Sequence, residues 1–197
     1  MLKKAIPLAL VTLFATSANA TNFSYSSFGV GLAKVSIDGL PEDLQGYGIS
    51  ASVELNENVF LLGSYNYADE EMNNIDISGD TTKIGIGSAT AITDKIDAFA
   101  TLSYATVSAE ACGNGTCLKA EDDGYYLSGG LKSWITDSID VIGTLNYAEL
   151  DKSDSDGTSY SLGAGFWPAK NHRIGFEMEN SEDSRTGIIS YSFYPNP

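Results

Sequence analysis

The sequence predicts an all-β protein, a closed antiparallel transmembrane β-barrel of ten strands, and three observations carry this prediction. Segments after residue 20 alternate apolar side chains with small or polar ones at the two-residue period of a β-strand. The connections between these segments alternate between short and long, and tyrosines recur at one end of the segments. A β-structure can cross a bilayer only if the backbone groups of every strand edge are hydrogen-bonded. A closed barrel meets this condition, because every strand has a neighbour on both sides.

The first 20 residues have the features of a secretory signal peptide. Lys3 and Lys4 give a basic start, residues 5–15 form an apolar run, and small residues at 18–20 form a cleavage site. The apolar run is shorter than the roughly 20 residues that a spanning helix needs. We therefore expect residues 1–20 to be removed and residues 21–197 to form a single barrel domain.

Residues 46–67 show the strand pattern most clearly. Tyr47 and Ile49 point to one face of the first predicted strand, while Gly48 and Ser50 point to the other, and a second strand with the same alternation follows a polar turn. The other segments repeat this pattern. In chain order, the predicted strands cover residues 25–35, 46–55, 59–67, 82–92, 97–104, 125–135, 140–147, 160–167, 173–179 and 188–193.

The connections predict the orientation of the barrel. Short turns at 56–58, 93–95, 136–138 and 168–171 alternate with longer loops at 36–45, 68–80, 108–124, 151–157 and 180–184. Transmembrane barrels of bacteria have short periplasmic turns and longer extracellular loops. We expect the same arrangement here. The alternative to ten strands is a barrel of eight strands, which has one hairpin fewer.

The composition of the two strand faces predicts that the apolar face contacts lipid. The apolar rows of the predicted strands carry no charged residue, whereas the other rows consist mostly of Gly, Ser, Ala and Thr. A charge on the lipid face at the bilayer midplane costs about 2–4 kcal/mol. A soluble β-sandwich would instead show polar rows rich in Lys, Glu and Thr.

Aromatic residues are expected to form two girdles at the membrane interfaces, because their rings have an apolar body and a polar edge. The outer girdle is predicted to contain Tyr47, Tyr67, Tyr104, Tyr125, Tyr147 and Tyr160. The inner girdle is predicted to contain Phe166, Phe193 and either Trp134 or Trp167.

Charged residues on the inward rows predict a polar cluster in the lumen. Charges of both signs in a narrow barrel must pair or line water, which leaves a salt-bridge network and a gated pore as alternatives. The inward rows also carry large apolar residues, which favour a largely closed interior. The candidate lumen charges are Glu54, Lys83, Asp97, Lys132, Asp140, Arg173 and Glu177.

The residues that could support catalysis or metal binding are few. His172 is the only histidine, and it follows a short turn at the predicted periplasmic end, away from an extracellular active site. Cys112 and Cys117 are the only cysteines, and export to an oxidising compartment favours a disulfide between them. Two cysteines are too few for a zinc site. We therefore expect no catalytic residue, no metal and no cofactor.

This set of features resembles the small bacterial outer-membrane barrels, the OmpA-like and opacity-type group of porin-like proteins. The resemblance covers about residues 25–193 and rests on the signal peptide, the girdled strands and the aromatic last strand. It implies outer-membrane location, contact with outer-membrane lipid and lipopolysaccharide, and insertion by the outer-membrane assembly machinery. Family members commonly end on an aromatic residue, whereas here Phe193 and Tyr194 are followed by three more residues.

The charge of the chain narrows its partners and functions. The net charge is −15, and loss of the two leader lysines would make it −17, so we expect no binding to nucleic acid. The first functional hypothesis is a structural or narrow porin-like barrel, and a monomer is the favoured oligomeric state. The alternative is a loop-mediated adhesin. An enzyme is the last of the three hypotheses. Carboxylates that could bind divalent cations in the loops are Asp69, Glu70, Glu71, Glu121, Asp122 and Asp123.

Overall fold

The computed structural model describes residues 21–113, 115–151 and 156–195, and these residues form ten antiparallel β-strands closed into one barrel. The predicted fold and the count of ten strands are confirmed. The predicted signal peptide lies outside the described residues. The strands are β1 (Ser27–Ile37), β2 (Leu44–Asn56), β3 (Val59–Met72), β4 (Ile75–Thr93), β5 (Ile96–Gly113), β6 (Thr116–Thr136), β7 (Ile139–Leu150), β8 (Asp156–Ala169), β9 (His172–Asn180) and β10 (Ser184–Phe193).

Each strand pairs with its neighbours in sequence, and β1 closes the wall by pairing with β10. That closing register runs without interruption from the pair Phe28 and Phe193 to the pair Ile37 and Ser184. Among the described residues, no helix is long and apolar enough to cross a membrane.

The short turns share one end of the barrel, which we call the base, and the longer hairpins share the other, which we call the mouth. Four hairpins turn at the base between β2 and β3, β4 and β5, β6 and β7, and β8 and β9, and each has a register shift next to its turn. Such bulges bend a strand and increase its twist. The base corresponds to the predicted periplasmic end.

The mouth differs from the prediction, because two of the expected loops are strands. The predicted loop at 68–80 continues β3 and β4 up to Asn73 and Asn74, whose φ angles are +54° and +61°. Two successive residues with positive φ are typical of a type I′ hairpin turn, which Asn accepts. The predicted loop at 108–124 continues β5 and β6 to a turn at Gly115, where φ is +76°.

These extensions form a four-stranded sheet that projects from one side of the mouth, and we call residues 68–80, 105–113 and 115–124 the blade. β4, β5 and β6 have 19, 18 and 21 residues, whereas β9 and β10 have 9 and 10. The hydrophilic composition of the blade suggested loops, but strands outside a membrane can carry polar side chains and keep their hydrogen bonds.

The outward side of the wall is apolar and uncovered. Leu32, Ile84, Leu145 and Leu162 are between 65% and 70% exposed. The buried apolar cluster inside the barrel is small, centred on Phe60, Ala89 and Phe99. An apolar surface of this extent requires lipid around it.

The aromatic residues of the mouth pair across neighbouring strands. The ring centroids of Tyr47 and Tyr67 lie 5.6 Å apart, and those of Tyr104 and Tyr125 lie 5.7 Å apart. Tyr160 also faces outward on β8, at 52% exposure, and Tyr147 lies half-buried on β7.

At the base, Phe166 and Phe193 face outward, as predicted, but the tryptophans do not. The Trp134 ring packs on the Trp167 ring inside the barrel, with centroids 5.3 Å apart. The Trp167 indole N–H donates a hydrogen bond to buried Asp140, and this bond holds the Trp167 ring in the lumen. The expectation of a girdle tryptophan was wrong because the lumen offers both rings hydrogen-bonding and stacking partners.

Candidate functional site in the barrel lumen

The base of the lumen is filled by the segment that precedes β1. Residues 21–26, which we call the N-terminal plug, turn inside the barrel instead of extending the wall. Phe23 is 4% exposed and stacks on Trp134, with centroids 4.7 Å apart. Tyr25 stacks on Phe60 at 4.8 Å. The plug therefore closes the predicted periplasmic end with aromatic side chains.

Asp97 on β5 is fully buried and binds the start of the plug. Its carboxylate accepts hydrogen bonds from the backbone N–H of Asn22, at 3.0 Å to each oxygen, and from the Asn22 side-chain amide at 2.8 Å. The backbone N–H of Phe23 also donates to it, at 3.3 Å. Several N–H donors compensate the desolvation of a buried carboxylate.

Glu54 on β2 binds the other end of the plug. Its carboxylate accepts the backbone N–H of Tyr25 at 2.6 Å and the hydroxyl of Ser26 at 3.3 Å. The Ser26 hydroxyl in turn accepts the Glu54 backbone N–H at 3.0 Å. Two predicted lumen acids, Glu54 and Asp97, thus bind a peptide segment of the chain itself.

Asp140 and Arg173 form a buried ion pair beside the plug. Nε and Nη2 of Arg173 donate to the two oxygens of Asp140 at 2.7 and 2.8 Å. The guanidinium lies between two glycines. A Cβ built on Gly165 would clash with its Nε, and one built on Gly175 would be 2.6 Å from its Nη1. The glycines leave the space that the arginine occupies.

Lys132 on β6 is 7% exposed and lies among aromatic rings at the centre of the base. Its Nζ is 4.3 Å from the ring centroid of Phe23, 5.5 Å from that of Tyr194 and 5.7 Å from that of Trp167. A lysine in this position gains cation–π attraction from rings that exclude water. It connects the plug with Tyr194, which follows β10 and is 8% exposed.

The predicted lumen charges divide into two groups. Glu54, Asp97, Lys132, Asp140 and Arg173 come together at the base. Lys83 lies nearer the mouth, where its Nζ is 3.8 Å from the ring centroid of Tyr126. Glu177 is half-buried on β9, opposite Gly163 of β8.

Nearer the mouth, the lumen contains polar cavities. A cavity of about 390 Å³ is lined by Lys83, Tyr126 and Glu179, and another of about 360 Å³ shares the last two residues. Glu179 accepts hydrogen bonds from Ser159 at 2.5 Å and Asn146 at 3.3 Å. A third cavity, of about 260 Å³, lies directly above the plug.

The remaining candidate residues lie outside the lumen. His172 is on the outer wall at the base, where its Nδ1 is 2.6 Å from the Tyr191 hydroxyl and its ring lies 5.5 Å from that of Phe193. Cys112 and Cys117 are register partners at the tip of the blade and form the expected disulfide.

The outward face of the blade is acidic. The Tyr104 hydroxyl, on the outward side of the wall, donates to Asp123 at 2.6 Å, which places Asp123 on the same face. Lys119 pairs there with Glu121, whose carboxylate raises the pKa of the lysine above its usual 10.5. By alternation along the strands, this face also carries Asp69, Glu71, Asp76, Asp80 and Glu110.

Sequence reasoning identified the acids at the base but missed their partners. The alternation predicts that Tyr25 belongs to the first strand, and it predicts no role for Phe23. Two aromatic residues between the predicted cleavage site and the Gly-rich strand β1 were a signal, because an exposed terminal tail has little need of large rings. Their inward packing depends on residues distant in sequence, so the pattern alone did not reveal it.

Comparison with known proteins gives a family match and several similar folds. The family model described as "Outer membrane protein beta-barrel domain" matches residues 6–167. The NanC porin shares 7% identity at a TM-score of 0.54, covering 84% of this chain and 98% of that one. Ail, the attachment invasion locus protein of Yersinia pestis, shares 16% identity at a TM-score of 0.44, and the match covers 85% of this chain and 94% of that one. At these identities the likeness concerns the fold alone. No curated protein matches the chain at a significant level.

Proposed function

Because the chain belongs to the outer membrane protein β-barrel family, we propose that it acts as a closed barrel of the bacterial outer membrane that presents the blade to partners at the cell surface. The observation that carries this proposal is the closed base of the lumen, where Phe23 and Tyr194 are 4% and 8% exposed. A barrel sealed by side chains at one end favours a structural or binding role over free diffusion of solutes.

The blade supports the binding part of the proposal through its two different faces. The outward face carries the carboxylates described above. The opposite face carries apolar residues such as Ile75 and Leu118, which are 42% and 75% exposed. We expect the acidic face to bind cationic partners, including the divalent cations that also bridge lipopolysaccharide phosphates.

The proposal includes no catalytic role. The single histidine hydrogen-bonds to Tyr191 on the outer wall at the base and lies among aromatic rings. This position supports a part in the inner aromatic girdle more than in acid–base chemistry. The barrel is proposed to be inserted as a monomer by the outer-membrane assembly machinery.

Two measurements on the refolded mature chain test this function. We expect planar bilayers that contain the intact protein to show no channel current. Steady ion-selective openings would contradict a closed barrel. We also expect Mg²⁺-dependent binding to lipopolysaccharide vesicles to fall at least fivefold when Glu71, Asp76, Asp80 and Glu110 of the acidic face are replaced by the corresponding amides. These four residues lie on three neighbouring strands of the blade. Unchanged binding by this variant, when it keeps heat-modifiable gel migration, would remove the acidic face from the proposal.

A narrow, gated passage is the second candidate, and the polar cavities of the lumen favour it. Hydroxyls of Ser50, Ser64 and Thr101 line the cavity above the plug, and Glu179 and Lys83 line the cavities nearer the mouth. Such a lining can hold water and ions. This candidate predicts rare openings that change when Lys132 or Asp140 is replaced, whereas a purely structural barrel stays silent.

A further inference from the structure

We propose that the base of the lumen is a peptide-binding site whose resident ligand is the chain's own N-terminal plug, and that release of the plug opens the lumen to the periplasm. The proposal goes beyond a closed barrel, because it states which element closes the base and how the closure is held. The ligand class is an extended peptide that offers consecutive backbone N–H groups and two aromatic side chains.

The first argument is that the barrel wall is complete without the plug. β1 begins at Ser27, and its pairing with β10 begins at Phe28, immediately after the plug. Residues 21–26 therefore lie inside a wall that already closes. Removing them takes no strand from the sheet.

The second argument is that the plug is bound in the manner of a ligand. Side chains of the wall hold it: Asp97 accepts the N–H groups of Asn22 and Phe23, and Glu54 accepts the N–H of Tyr25. Hydrogen bonds from backbone N–H groups to ionised carboxylates are charge-assisted and stronger than those between neutral groups. The rings of Phe23 and Tyr25 fill the spaces between these hydrogen bonds and stack on Trp134 and Phe60.

The third argument is that the plug is the lower boundary of an internal cavity. The cavity of about 260 Å³ is lined by Ser24 and Tyr25 of the plug, and also by Lys132 and Thr101 of the wall. Tyr25 packs against the cluster of Phe60, Ala89 and Phe99 as well. Withdrawal of the plug would therefore admit water to the cavity and to this cluster.

Ala89 offers a direct reporter of that event. It is 1% exposed in the plugged barrel and faces the lumen at the base. A thiol introduced by Ala89→Cys can be titrated with a small, water-soluble thiol reagent in the refolded mature chain, because both native cysteines are bonded to each other. The rate of labelling then measures how often the plug leaves.

We expect Asp97→Ala in this background to raise the labelling rate at least tenfold, because the N–H groups of the plug lose their acceptor. Deletion of residues 21–25 should raise the rate further. The matched control is Asp94→Ala, which removes an exposed carboxylate three residues away and should leave the rate unchanged. Heat-modifiable gel migration checks that each variant has folded.

A peptide added in trans completes the test. We expect the hexapeptide Thr-Asn-Phe-Ser-Tyr-Ser, the sequence of residues 21–26, to slow labelling of the deleted chain at least fivefold. The same peptide with Ala in place of both aromatic residues should have no effect. If the deletion fails to fold, Phe23→Ala combined with Tyr25→Ala replaces it.

Equal labelling rates in the parent, the Asp97→Ala variant and the plug-deficient chain would overturn the proposal. Faster labelling without any bilayer conductance would still support it, because Lys83 and Tyr126 also narrow the lumen above the cavity. Conductance of the intact chain would contradict the proposed closed barrel, whereas the labelling experiment tests the plug itself.

Discussion

At the scale of single residues, the base of the lumen shows how a narrow barrel accommodates charge. Asp97 and Asp140 are both fully buried, yet they are satisfied differently. Asp140 is paired with Arg173, whereas Asp97 accepts N–H groups of the plug. Both arrangements avoid an unpaired buried charge, which would lower the free energy of unfolding by about 3–5 kcal/mol.

Arg173→Leu is therefore expected to destabilise the folded barrel by about 3–5 kcal/mol, because it leaves Asp140 buried without its cation. The double variant with Asp140→Leu should recover most of the loss, since both charges are then removed. Urea unfolding in lipid vesicles measures both free energies. Equal losses in the single and double variants would show that the two residues do not act as a pair.

Gly165→Ala is expected to cost about 1–3 kcal/mol through the clash of the new methyl group with the Arg173 guanidinium. The same substitution at Gly187 is the control, because nothing lies within 4 Å of a Cβ built there. The same unfolding assay compares the two variants. A loss of equal size at Gly187 would point to a general effect of alanine rather than to the arginine site.

At the scale of elements, the blade extends two hairpins of the membrane wall into solvent. Its tip is held by the Cys112–Cys117 disulfide between directly opposed residues. Because the cross-link joins strands that are already paired, it restrains the tip and has little influence on the wall below it.

Reduction of this disulfide, or the double substitution Cys112→Ser and Cys117→Ser, should leave the unfolding midpoint of the barrel unchanged. Amide hydrogen exchange should become faster only in residues 108–122, where fraying from the tip is no longer prevented. Peptide-resolved exchange measured by mass spectrometry distinguishes the two regions. Faster exchange throughout β5 and β6 would mean that the tip and the wall unfold as one unit.

For the whole molecule, the outward-facing apolar and aromatic residues are expected to mark where the bilayer lies. Leu145 faces outward in the middle of β7 and is 68% exposed, whereas Leu118 is 75% exposed on the blade. The two leucines are thus similar in exposure but differ in the solvent they are expected to face.

Leu145→Arg should lower the free energy of unfolding in vesicles by about 2–4 kcal/mol, the cost of arginine at the bilayer midplane. Leu118→Arg, its control, should change it by less than about 0.5 kcal/mol, as for an ordinary surface substitution. Similar effects at both positions would place the membrane boundary elsewhere on the wall.

The alternation of side chains along the sequence is sufficient to predict the class of the protein, the number of strands and the side of each strand that faces lipid. These features follow from local alternation, because successive side chains of a strand point to opposite faces whatever the rest of the chain does. The same alternation placed Glu54, Asp97, Lys132, Asp140 and Arg173 on the inward rows. The hydrophilic composition of the blade predicts loops, because composition alone does not separate a polar strand from a polar loop.

The partners of those inward charges depend on the folded barrel and cannot be predicted from the strand pattern. Asp97 receives its donors from Asn22, 75 residues earlier in the chain, and Lys132 lies among rings from the segments before β1 and after β10. Such contacts depend on closure of the wall, which brings residues 21–26 and Tyr194 to the same end of one narrow lumen. The plug therefore forms only in the closed barrel, and the alternation within one strand does not predict it.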